Sequence, residues 1–159
     1  MAVMDIVIRL AADGLLVVVA GIAFYSFCCV VPKRQWRAWA VRIVLAGLTA
    51  YAAAKFAGWL YQPETMRPFE QLGVEPGAAY LPNPGFPSDH ALFASFLTLA
   101  VWFSTQRKDL AIVMAVLTLT LSLARVVALV HTPVDVLGGL TLAVVGIIWY
   151  RRPLKNVVK

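Results

Sequence analysis

Residues 14–31 form a run of 18 positions without a charged side chain. As a helix, such a run covers most of a bilayer's hydrocarbon core, and leaving it in water is costly. Similar runs recur at 43–60, 91–103, 110–130 and 133–150, interrupted only by Lys55, Arg125 and Asp135. Composition agrees, since 61% of residues are hydrophobic, 14% are charged and the mean hydropathy is +0.79, outside the usual soluble range. These runs predict an all-α integral membrane helical bundle of about five transmembrane helices, because lipid leaves backbone groups no partner outside a helix or a closed barrel. The 159 residues are then a single domain, 1–159, with little material for a soluble one.

The flanks refine this expectation. Residues 2–13 either extend the first span or lie at the interface, and Asp5, Arg9 and Asp13, with no small-residue cleavage site after the run, mark the segment as retained. KRQWRAWAVR, residues 33–42, has the basic and aromatic character of a membrane boundary, and the tryptophans read as interface anchors. Lys33, Arg34, Arg37 and Arg42, then Arg107 and Lys108, then Arg151, Arg152, Lys155 and Lys159 fall at alternate span ends. Those ends are expected to face the cytoplasm, with the N-terminus, the 61–87 loop and the turn around His131 outside. Six of the nine prolines lie between Pro63 and Pro87, so this outer loop is expected to be an irregular cap. Glu64, Glu70 and Glu75 read as solvated loop charges. The adjacent Cys28 and Cys29 read as packing residues, since neighbours seldom bridge. The net charge of +6 is largely accounted for by the basic anchors, and no nucleic-acid signal is present.

Lys55, Arg125 and Asp135 each cost roughly 2.5–3.5 kcal/mol near a bilayer centre, so each needs a partner, a wet cavity or a position near the interface. All three fall toward the outer ends of their spans, in the layer that also holds Arg67, Ser88, Asp89, His90 and His131. His131 and Asp135, four positions apart, can share one side of a helix, with the carboxylate holding one imidazole nitrogen and leaving the other as nucleophile or base. Arg67, Arg125 and Lys55 supply positive charge suited to phosphate oxygens. Ser88 and the amides opening the third span add neutral donors. His90 is placed to give a proton to a leaving oxygen. Asp89 reads as the cap of the third span. Two other readings of the layer are a buried network serving packing and a zinc site built on the histidines and aspartates. Three converging basic groups argue against zinc, and the expectation is no metal and no cofactor.

Together these residues resemble the type 2 phosphatidic acid phosphatase superfamily of integral membrane lipid phosphatases. "ARVVALVHTPVD" carries Arg125, His131 and Asp135 at the spacing of the family's third motif, with Ala124 in its serine position. Pro87-Ser88-Asp89-His90 is similar to the second motif, Pro-Ser-Gly-His. "FPSDH", with "RPF" at Arg67-Pro68-Phe69, resembles bacterial undecaprenyl-diphosphate phosphatases of the bacitracin-resistance type. The first motif departs from the pattern, because Leu60 stands where the family has lysine and Lys55 is the nearest lysine upstream. Lys55 therefore either reaches the phosphate across a lengthened segment or snorkels to the interface. The resemblance implies that His131 attacks phosphorus to form a phosphohistidine, with Asp135 orienting it and His90 protonating the leaving oxygen. It also implies that Lys55, Arg67, Ser88, Asp89 and Arg125 form the phosphate-binding layer, without a metal. The partners expected are the bilayer and a lipid phosphate. The expected substrate is undecaprenyl diphosphate, at the outer face of a bacterial cytoplasmic membrane. Phosphatidate or phosphatidylglycerophosphate is the alternative substrate, and a scaffold or small anion transporter the alternative class.

Overall fold

The computed structural model describes residues 2–62 and 66–151; Pro63, Glu64, Arg152, Lys155 and Lys159 lie outside the described residues. Helix α1 (Ala2–Arg9) passes through a π-helical turn (Leu10–Gly14) into α2 (Leu15–Cys29), so the N-terminal flank extends the first span. A 3-10 turn (Lys33–Gln35) leads into α3 (Trp36–Leu60), a short α4 (Pro68–Leu72) lies in the cap, and α5 (Asp89–Thr105) and α6 (Lys108–Val127) follow. The last span is α7 (Pro133–Leu142), a 3-10 turn (Ala143–Gly146) and α8 (Ile147–Tyr150). Four helical segments, Val3–Cys29, Lys33–Leu60, Lys108–Val127 and Pro133–Tyr150, are long and apolar enough to cross a membrane. α5, at 17 residues, sits at the short end of the spanning range. No strand occurs among the described residues, and the expected helical membrane bundle is what forms.

α5 is the hub, packing against α2, α3, α6 and α7. Its buried Ala91, Ala94 and Ala100 let neighbouring backbones approach. Large apolar side chains such as Phe24, Leu48, Ile112 and Leu119 point outward, as they do when the surrounding medium is lipid. The segment Phe86–Pro87–Ser88, with a cis Phe86–Pro87 bond, enters α5 wedged between α3 and α7. Two glycines make room for it. A Cβ on Gly58 would stand 2.8 Å from the Phe86 carbonyl oxygen, and one on Gly139 2.5 Å from that of Ser88.

Trp39 and Phe103 pack against Tyr150 at one end of the bundle, together with the basic turns at 33–35 and 107–108. At the other end Ala12, Phe69, Ala78, Ala124, Ala128 and Val130 form a separate cluster, placing the N-terminal flank, the 61–87 loop and the His131 turn in one layer.

Several local expectations are corrected. The 61–87 loop contains a helix, α4, because Pro68 sits at its first position, where a missing N–H costs nothing, and Gly73 closes it at φ +64. Glu70 is not simply solvated, since its Oε2 accepts from the Arg67 amide at 2.7 Å. Ser88, not Asp89, caps α5 by accepting from the Ala91 amide, and Asp89 is the first helical residue. Trp39 is buried against Tyr150, with Arg42 over its ring, and Trp149 donates to Thr49, so neither is simply an anchor. Cys28 is half-buried, but Cys29 is exposed and does not pack as expected.

Candidate active site

His131 follows the end of α6, where Leu129 adopts a left-handed conformation (φ +60) and the chain reverses into α7. Thr132 caps α7 through a reciprocal pair: its Oγ1 accepts from the Asp135 amide at 3.2 Å, and the Thr132 amide donates to Asp135 Oδ2 at 2.8 Å. This capping box fixes the carboxylate before the histidine meets it. His131 Nδ1 lies 3.5 Å from the same Oδ2, a close approach rather than a formed hydrogen bond. His131 and Asp135 are both about 95% buried. Burial holds the His131 imidazole below its ordinary value, opposed by Asp135 and reinforced by Arg125 and Arg67.

Arg125 points from the last turn of α6 into the same layer and is 1% exposed. Its Nη1 donates to Asp13 Oδ1 at 2.7 Å, and its Nε has no partner. Arg67 reaches in from the loop. Its Nη1 donates to the Val130 carbonyl, its Nη2 donates to Leu81 and Asn83, and its guanidinium lies over the Tyr80 ring. It therefore ties the cap to the histidine turn while adding positive charge beside His131. Ser88 is fully buried, and its amide donates to the Asp135 carbonyl at 2.9 Å, docking the start of α5 on α7. His90, two residues further on, feels the charges of Arg125, Asp13 and His131.

The structure thus brings His90, His131, Asp135, Arg125, Arg67 and Ser88 to one end of the bundle. Lys55 and Asp89 sit apart at the rim, where Nζ and Oδ1 pair at 3.1 Å with both side chains more than a third exposed. Lys55 Nζ also lies over the Tyr51 ring. Asp13 is the residue the sequence reading passed over as a flank charge. The rule that singled out Arg125 and Asp135 would have found it had the first helix been started at residue 2. Among the described residues, no three His, Cys, Asp or Glu side chains cluster as a metal site would need.

An apolar groove of about 430 Å³ runs from Asp89 and His90 between α2 and α3, floored by α5 and lined by Leu16, Ala50, Tyr51 and Phe96. Phe93 joins it to a second, about 410 Å³, which continues along the same helices to Ser104.

A family model described as the PAP2 superfamily matches residues 38–158. The chain belongs to the PAP2 superfamily. Members of the PAP2 superfamily are phosphatases, and the matched region contains every site residue above except Asp13. Comparison of this PAP2 chain with curated proteins and with solved structures finds no match.

Proposed function

We propose that the protein is a metal-independent lipid phosphatase that removes the terminal phosphate of undecaprenyl diphosphate at the outer face of a bacterial cytoplasmic membrane. The observation that carries this reading is the buried His131–Asp135 pair, flanked by Arg125, Arg67 and His90, with His90 also lining an apolar groove. The cationic layer suits a phosphate head, and the groove suits a long hydrocarbon tail lying along α5. The "FPSDH" and "RPF" stretches are what favour a diphosphate over phosphatidate or phosphatidylglycerophosphate.

In this mechanism the unprotonated His131 nitrogen facing away from Asp135 attacks the terminal phosphorus. The bond to the bridging oxygen breaks, and His90 gives that oxygen its proton. Asp135 stabilises the imidazolium character of the phosphohistidine. Arg125 and Arg67, with Ser88, hold the phosphoryl oxygens as charge shifts from the nucleophile side to the leaving side. Water then attacks phosphorus, His90 takes its proton, and inorganic phosphate departs with His131 restored.

Phosphate release by the purified protein should be measured on undecaprenyl diphosphate, phosphatidate and phosphatidylglycerophosphate, with radioactive terminal phosphate used to trap the intermediate. The expected result is fastest release from the diphosphate and an acid-labile label on the wild type that His131→Ala lacks. Release from none of the three would favour a scaffold or anion transporter instead. A chelator should leave the rate unchanged; loss of activity with stoichiometric zinc would overturn the metal-free reading.

A further inference from the structure

The partner of Arg125 comes from outside the region matched to the family. Asp13 stands in the π-helical turn Leu10–Gly14, and such turns insert one extra residue into a helix, redirecting the side chains around it. Its carboxylate has two separate tasks. Oδ1 accepts from Arg125 Nη1 at 2.7 Å, and Oδ2 accepts from the Ala79 amide of the cap at 3.0 Å. Arg125 is 1% exposed and its Nε is unpartnered, so Asp13 is the anion that compensates a guanidinium buried beside two histidines.

We propose that Asp13 is a positioning residue, a clamp that turns Arg125 so that its Nε edge serves the phosphoryl group, and that fastens the cap segment 77–81 over the same site. The Arg125 part of the proposal rests on the phosphatase reading. Holding a donor in place before charge develops is what makes it count in the transition state. The clamp should therefore act on kcat. A carboxylate that merely filled the anion site until substrate displaced it would compete with phosphate, and removing its charge would tighten phosphate binding.

The full chain in detergent micelles should be assayed as wild type, Asp13→Asn and Asp13→Glu, with inorganic phosphate as competing inhibitor. Asp13→Asn should lower kcat by about tenfold or more, the scale of misplacing one charged contact, with KM within a few-fold. Asp13→Glu should recover part of that loss. Unchanged kcat in Asp13→Asn, or tighter inhibition by inorganic phosphate, would overturn the clamp. Hydrogen exchange across residues 77–81 gives a readout independent of turnover, and it should quicken in Asp13→Ala relative to wild type. If the wild type releases no phosphate from any lipid while this exchange quickens, the phosphatase reading falls and the tie between Asp13 and the cap stands. Unchanged exchange in folded Asp13→Ala would overturn the tie whatever the activity.

Discussion

A single oxygen of Asp135 serves two partners, accepting from the Thr132 amide while lying 3.5 Å from His131 Nδ1. Asp135→Asn keeps the shape of the cap but removes the charge that would stabilise the imidazolium, so kcat should fall by about 10²-fold or more with the helix content unchanged. His131→Ala should abolish turnover altogether, checked by phosphate release alongside circular dichroism; substantial residual turnover would exclude His131 as nucleophile. The acidity of His131 gives a second test. Burial lowers its value, so the neutral form that the proposed attack requires persists to lower pH than in a free imidazole. The acid limb of kcat/KM should accordingly reach half-maximum below pH ~6.5, and a midpoint at or above that would contradict the buried nucleophile. Lys55 belongs to a different class. Its pair with Asp89 is largely exposed and contributes little to stability. Lys55→Ala should therefore leave the melting temperature almost unchanged and raise KM more than it lowers kcat, because the ammonium pairs with Asp89 at the rim rather than standing beside His131.

At the scale of elements, the site depends on how closely α7 lies against the start of α5. A methyl group on Gly139 would meet backbone at Ser88 and Leu92, which cannot swing aside as a side chain can. Gly139→Ala should cost about 1–3 kcal/mol of stability through overpacking and lower activity further by moving Asp135 away from the second motif. Thermal unfolding and kcat measured on the same preparation check this; wild-type values for both would mean that the contact is slack. The spans themselves were legible because uncharged runs in a polar-poor chain have few other structures open to them. His131, Thr132 and Asp135 were legible for a related reason, since their geometry is set within one helical turn. Asp13 and Arg125 are 112 positions apart, and no local pattern encodes such a meeting. α4 was hidden by proline, whose frequency signals broken structure even where Pro68 opens a helix.

For the whole molecule, all the site's ionisable groups gather at the end opposite the basic turns. With Cys28 and Cys29 replaced, a cysteine at position 72 or 81 should react with an impermeant thiol reagent added to intact cells, and one at position 107 should not. The reverse labelling would place the site on the cytoplasmic side. The groove that starts at His90 continues past Phe93 to Ser104, close to the basic turn at 107–108, so the apolar path follows nearly the whole length of α5. On the proposed reading, catalysis on such a frame is vectorial. The freed phosphate would enter only the compartment that the cap faces, because the charged groups of the site stand at that end of the bundle. The lipid product would be left with its head at the same face, and any use of it at the opposite face would then require a separate translocation step.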